Sequence, residues 1–185
     1  MATESDSFLA AVRTEFGRYR RLAEIAIEQV DDAALQTAIG KDGNSIAVLL
    51  RHLSGNLQSR FTDFLTTDGE KPWRDRDGEF VDPGAERAQL LADWTTAWQA
   101  VDDALAAVAT AGPDVWSRDV VIRQQQLTVA DALLRSVAHV ANHVGQIVLL
   151  ARHAAGSAWV SPSIPRGESK AYAENPTREK SPDDR

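Results

Sequence analysis

Four long stretches of the chain repeat apolar residues every three or four positions, which is the spacing of a helix that buries one face. They span about residues 6–30, Ser45–Thr66, Pro83–Gly112 and Val129–Ala155. Residues 120–122 suggest a short extended piece that could also be irregular, with no clear pairing partner. The sequence therefore predicts an all-α fold, most simply a four-helix bundle.

The length of the chain fits a single domain. Its 185 residues are 43% apolar, enough for one hydrophobic core and too few for two. We expect the domain to cover residues 1–170, and residues 171–185 to form a disordered tail. Residues 68–83 are dense in charge and turn formers and predict a long loop between the second and third helices. An extended C-terminal arm follows the fourth helix.

Composition narrows the possible functions. Cysteine is absent, so disulfides, thiolate ligands and thiol nucleophiles are excluded, and any metal must be held by nitrogen and oxygen. The net charge of -7 disfavours nucleic acid as a partner. There is no apolar run long enough for a membrane span, and the acidic, polar start does not look like a signal peptide. These features predict a cytoplasmic protein without membrane or nucleic-acid partners.

Three of the four histidines occupy helix positions suited to holding a metal. His139 and His143 are four residues apart, so their side chains project from one helix face and can bind one ion. His52 lies in the strongly apolar second helix. The alternative is that all three are ordinary polar residues at the edge of the core, hydrogen-bonded to neighbours. Residue chemistry alone leaves both interpretations open.

Several segments resemble the DinB-like superfamily of metal-binding four-helix bundles, which includes the YfiT-type thiol transferases. They are NSIAVLLRHLSGN, TDGEKPWRDRDGEF, HVGQIVLLARH and SIPRGES, and the resemblance covers roughly residues 8–170. It is closest to an uncharacterised DinB-like branch. The resemblance implies a DinB/YfiT-like bundle, a homodimer, and metal ligands at His52, His139 and His143. His153 matches no ligand position.

A three-histidine set leaves coordination positions open for water or substrate, as in catalytic zinc sites. Zinc is the favoured metal, although nickel, iron or manganese also accept these ligands. The resemblance suggests transfer of a low-molecular-weight thiol onto small electrophiles. The alternatives are a non-catalytic, stress-associated or ligand-binding dimer with a structural or incidental metal, and a metal-dependent hydrolase. No catalytic residue is assigned, because no Asp or Glu lies in register on the histidine faces.

Two amides are candidate neighbours of the metal or of a small-molecule substrate. Asn56 lies one turn after His52 and Gln146 three residues after His143, although both can also simply solvate the rim of a bundle. Arg51 and Arg60 are given no role, since arginines on helices usually extend into water. The alternating charges of residues 73–77 predict a loop held by its own ion pairs or by a partner chain.

Overall fold

The computed structural model describes residues 4–82 and 84–176, and it is predominantly helical, with 65% helix. This content agrees with the predicted all-α class. The helices of the described residues are α1 (Glu4–Ile27), α2 (Asp32–Gln36), α3 (Ile46–Phe61), α4 (Arg87–Thr110), α5 (Val129–Ala155) and α6 (Ser169–Glu174). Short 3₁₀ turns lie at Gly78–Phe80, Pro113–Ser117 and Gly156–Ala158.

The four long helices pack around one hydrophobic core. Helix α1 lies against α5 and α3 lies against α4, while α3 also contacts α5 and α1 contacts α4. The predicted apolar faces form the interior, because turning them inward removes most of their area from water. Its largest fully buried side chains include Trp94, Trp98, Leu53 and Ile147.

Side-chain caps fix where the two histidine-bearing helices begin. The Ser45 hydroxyl accepts a hydrogen bond from the Val48 amide at the start of α3. At the start of α5, the Thr128 hydroxyl accepts one from the Asp131 amide and donates to the Asp131 carboxylate. Both caps satisfy amides that the first helical turn leaves without partners.

The end of one helix and the start of another differ from the prediction. Helix α3 ends at Phe61 rather than near Thr66, because Thr62 is extended and Asp63 has a φ of +50°. The chain then folds back, and the Ser59 hydroxyl donates to the Gly69 carbonyl. Helix α4 begins at Arg87, four residues after the predicted start at Pro83, which lies outside the described residues.

The region between α4 and α5 contains a β-hairpin, which the sequence only suggested. Strand β1 (Asp119–Ile122) pairs antiparallel with β2 (Gln125–Thr128). The turn residues Arg123 and Gln124 have φ of +53° and +61°, in the left-handed region that a two-residue hairpin turn requires. The Asp68 carboxylate accepts a hydrogen bond from each of their amides at 2.8 Å. A distant loop residue therefore stabilises a turn that lacks the usual glycine.

The segment after α5 is tied back to the end of α1. The Gln29 side chain exchanges two hydrogen bonds with the Val160 backbone. Helix α6 crosses the predicted boundary between domain and tail at residue 170. Residues 177–185 of the predicted tail lie outside the described residues. None of the described helices is long and apolar enough to cross a lipid bilayer.

Candidate metal centre

The structure brings three predicted ligands together from two helices. His52 projects from α3, and His139 and His143 project from adjacent turns of α5. One ring nitrogen from each histidine lies within 4.8 Å of the others. The helical spacing explains the pair on α5, and the packing of α3 against α5 adds the third ring.

The spacing of the ring nitrogens is compatible with a shared metal ion. Nε2 of His52 lies 3.2 Å from Nε2 of His139. Two nitrogens bound tetrahedrally to one zinc ion are about 3.3 Å apart, given zinc–nitrogen bonds of about 2.0–2.1 Å. Ligation by these three residues stays a prediction, but the distance fits it.

A carboxylate from the long loop orients His52. Oε2 of Glu79, in the 3₁₀ turn within this loop, lies 2.9 Å from Nδ1 of His52. A hydrogen bond to the ionised carboxylate places the proton on Nδ1 and leaves the Nε2 lone pair facing His139. A carboxylate behind an imidazole is a frequent arrangement at protein metal sites, where it fixes the tautomer and the ring orientation.

Glu79 is itself held by a buried arginine. Nε of Arg74 donates to Oε1 of Glu79 at 2.8 Å and Nη2 donates to Oε2 at 2.9 Å, and the Arg74 side chain is 1% exposed. Burial alone would raise the pKa of Glu79, but the hydrogen bonds from His52 and Arg74 outweigh it and lower the pKa. Glu79 is therefore an ionised orienting group.

The absence of an Asp or Glu in register on the histidine faces concerns the helices alone, and helix register could not indicate Glu79, which reaches His52 from the loop. One sequence feature could have indicated that another segment of the chain packs closely against α3 near His52. Gly55 lies inside that helix three residues after His52, and a Cβ placed there would lie 2.3 Å from Oε1 of Glu79. Glycine inside a helix is unfavourable unless something needs the space.

Burial keeps the two histidines of α5 neutral. Desolvation, reinforced by His143 and His52, lowers the pKa of His139 to about 3. Desolvation and the neighbouring His52 lower the pKa of His143 to about 4. Metals bind the neutral form of imidazole, so near neutral pH neither ring has to lose a proton first.

The donor set also contains buried atoms that lack protein partners. Nδ1 of His139 and Nδ1 of His143 are buried and have no hydrogen bond within the described part of the chain. Unpaired buried polar atoms are rare in folded proteins and are frequent where a ligand or ion completes the site. The ring-nitrogen spacing and the neutral imidazoles fit a divalent metal, and the unpaired Nδ1 atoms belong to rings that would bind it.

The two predicted amide neighbours lie at different parts of the site. Asn56 is buried and lines a cavity beside His52 and His139. Gln146 is half-buried, and its hydrogen bonding to His143 opposes the lowering of that pKa. A role for either in binding a metal or substrate stays a prediction. His153 is exposed near the end of α5.

Arg60 is buried, contrary to the prediction that its side chain extends into water. Its residue is 9% exposed, and it lines the same cavity as Asn56. Arg51 is exposed, as expected. Residues 73–77 are held by ion pairs within the longer loop 68–83, where Arg74 pairs with Glu70 and Glu79. This agrees with one of the two predicted alternatives.

Comparison with known families gives one match. A family model described as protein of unknown function (DUF1572) matches residues 3–168, nearly the whole of the described structure. The chain belongs to this family, which is part of the DinB-like superfamily. No curated protein and no solved structure matches the chain.

Proposed function

We propose that this DinB-like protein holds a divalent metal at His52, His139 and His143 and uses it to transfer a low-molecular-weight thiol onto small electrophiles. The observation that carries the proposal is the convergence of three ring nitrogens within 4.8 Å, with Glu79 hydrogen-bonded behind one of them. Zinc suits three imidazoles best among common metals, and nickel, iron or manganese would also bind. When bound, such a metal acts as a Lewis acid that lowers the pKa of a thiol or water at its open position.

The protein side chains supply orientation and exclusion of water. Arg74 fixes Glu79, and Glu79 fixes the His52 ring, so the His52 ligand nitrogen is held in place before any metal arrives. His52 is 2% exposed and Asn56 is 7% exposed, which restricts solvent on this side of the site. A pre-organised, partly dry site strengthens interactions with a charged nucleophile such as a thiolate.

Thiol transfer fits this site better than hydrolysis. A hydrolase would need a carboxylate or neutral histidine free to accept a proton from water. Glu79 is already engaged by both His52 and Arg74, and its lowered pKa makes it a weak base. A thiol activated by a metal has no need of a separate base. The competing non-catalytic function, a ligand-binding dimer with a structural metal, requires the same three ligands.

The proposal also includes three more specific assignments. They are a DinB/YfiT-like four-helix bundle for the four long helices, a homodimeric state and a cytoplasmic location. The superfamily membership supports the bundle and the homodimer, and the pairwise packing of α1 on α5 and α3 on α4 supports the bundle alone. The cytoplasmic location rests on the sequence expectation.

Metal analysis of purified protein tests the centre. We expect one divalent metal per chain in the wild type and in His153→Ala, which removes an exposed histidine from the same helix, and little in His143→Ala. Equal metal content in all three proteins would contradict the three-histidine site.

Conjugation assays with a panel of thiols and electrophiles then test the activity. Turnover that is present in the wild type and His153→Ala but absent in His143→Ala supports transfer. Stoichiometric metal without turnover on any pair favours the ligand-binding function.

A further inference from the structure

The cavity beside the histidines has a strongly basic wall. Its volume is about 200 Å³, and none of the described residues that line it is acidic, in a chain whose net charge is -7. His52, His139 and Asn56 are among its lining residues. Five arginines contribute to the rest: Arg60, Arg74, Arg76, Arg123 and Arg135. The space equals that of roughly six or seven water molecules, which suits a small organic acid.

One carboxylate behind the wall is shared among three of these arginines. Oε2 of Glu70 lies 3.6 Å from Nη1 of Arg60 and 3.5 Å from Nη1 of Arg74. The same oxygen accepts a hydrogen bond from Nε of Arg123 at 3.0 Å. Glu79 also forms an ion pair with Arg74, although the same carboxylate contacts His52 as well. The positive charge around the cavity therefore exceeds the negative charge that contacts it.

Arg60 is the most deeply placed of the incompletely paired arginines. Its Nη1 is buried without a hydrogen bond among the described residues, and its nearest carboxylate contact is the long one to Glu70. Burial lowers its pKa to about 10, and the charges of Arg74, Arg123 and Arg135 act in the same direction, against Glu70. A buried cation with incomplete pairing is costly, and a bound anion would offset that cost.

Two arginines at the mouth of the cavity are available to a ligand. Arg135 is exposed and forms no ion pair within residues 4–82 and 84–176. Arg76 contacts only Asp77 among carboxylates of the described residues, at 3.6 Å, and the Asp77 side chain is 99% exposed. Such an exposed pair is weak and easily exchanged for a better anion.

We propose that this cavity binds the anionic group, carboxylate or phosphate, of a small acidic molecule whose remainder reaches the histidine site. Guanidinium groups bind both kinds of anion with paired hydrogen bonds, which accounts for arginine rather than lysine on the wall. The orientation of the ligand toward the histidines rests on the proposed function. Anion binding itself requires only the arginines.

Calorimetric titration of the full-length, metal-containing protein tests the inference, with three probes. Succinate and inorganic phosphate represent the two anion classes, and succinamide is the neutral analogue of succinate. We expect at least one anion to bind and the neutral analogue to bind at least about tenfold more weakly, because it lacks the charge that the arginines complement. The preferred anion identifies the ligand class.

Arginine variants locate the binding. Arg135→Gln should weaken anion affinity about five- to tenfold, and Arg76→Gln serves as a second variant at the mouth if the first is poorly folded. Arg152→Gln is the matched control, because it removes the same charge from an exposed position on the same helix, away from the cavity. Equal affinities in Arg135→Gln, Arg76→Gln and Arg152→Gln, or equal binding of succinate and succinamide, would overturn the proposal.

The His143→Ala variant separates this inference from the metal centre. Anion binding that persists in His143→Ala, with arginine dependence intact, supports the cavity even if the metal analysis contradicts the centre. Loss of anion binding in His143→Ala but not in Arg135→Gln would assign the anion to the metal and refute the arginine site.

Discussion

Two buried regions in the same set of helices depend on different interactions. In the aromatic core, Phe16, Phe61, Trp94 and Trp98 meet edge to face with ring centres 5.5–5.9 Å apart. In the polar layer, which consists of His52, Arg60, Glu70, Arg74 and Glu79, short hydrogen bonds join His52 and Arg74 to Glu79, and longer contacts of 3.5–3.6 Å join Arg74 and Arg60 to Glu70. The aromatic core contributes by removing area from water. The polar layer is stabilised by ion pairs and hydrogen bonds that link one side chain to the next.

The difference determines how each region responds to loss of one side chain. Removing an apolar side chain leaves a cavity that its neighbours partly fill. Removing one member of the polar layer leaves its partner charged and buried, which costs far more than the pair contributed. The polar layer is therefore the region where single substitutions should affect both stability and site geometry.

Glu79→Ala should have the largest effect. It leaves Arg74 buried without its bidentate partner and His52 without a fixed tautomer, so we expect a loss of about 3–5 kcal/mol of unfolding free energy. Metal affinity should fall about 10- to 100-fold because the orienting carboxylate is gone. Urea unfolding in chelator and competitive metal titration measure the two effects.

Leu105→Ala in the apolar interior is the matched comparison. Leu105 is 2% exposed, so its truncation should cost about 2–5 kcal/mol. Its metal affinity should stay at the wild-type value. If Leu105→Ala loses metal as strongly as Glu79→Ala, the two regions do not act separately.

Metal removal should have the next largest effect. A ligand present at about 100 times its dissociation constant stabilises the folded state by about 2.7 kcal/mol. Chelation should therefore lower the Tm by roughly 5–10 °C in a chain of this size. The same treatment should leave the Tm of His143→Ala nearly unchanged. Equal shifts in the two proteins would place the stabilising metal elsewhere.

The helices and the histidines could be predicted because their information is local. Apolar residues at helical spacing indicate which face turns inward, and the separation of His139 and His143 places them on one face. The Thr128–Asp131 cap is equally local, and the structure contains it. That His52 would meet this pair depends on packing, so residue chemistry left it open and the superfamily resemblance favoured it.

The loop contacts could not be predicted from local pattern. Glu79 reaches a histidine 27 positions earlier, and Asp68 caps a turn 55 and 56 positions later. Neither contact has a sequence period, because each depends on where a loop crosses a helix or a hairpin. The burial of Arg60 could not be predicted for the same reason. The loop covers a helix face that register alone would leave exposed to water.

Acid should destabilise the metal-free protein through the histidines. The folded pKa values of His139 and His143, about 3 and about 4, lie below the ordinary value of 6.5. At pH values between the folded pKa and 6.5, the unfolded chain therefore binds more protons than the folded protein. Stability is therefore highest above pH 6.5 and falls as pH drops, by at most about 1.4 kcal/mol per pH unit per histidine.

Urea unfolding in chelator between pH 6.5 and 5 measures this slope. Glu79 contributes only at lower pH, because its pKa is lowered from 4.5. His143→Ala should show a shallower slope, and His153→Ala, at an exposed position, should match the wild type. A slope that is unchanged in His143→Ala would show that this ring does not remain neutral in the folded protein.

Gln124→Gly should give the smallest effect, in the opposite direction. Gln124 has a φ of +61° in the hairpin turn that borders the polar layer, a conformation that glycine adopts without steric cost. The Asp68 hydrogen bond to the backbone amide of residue 124 should persist, so we expect a gain of about 0.5 kcal/mol in unfolding free energy. Gln126→Ala, in the adjoining exposed strand, is the control for loss of a side chain alone. A destabilised Gln124→Gly protein with an unaffected Gln126→Ala control would mean that Gln124 itself supports the turn, and that the border of the polar layer depends on more than the Asp68 cap.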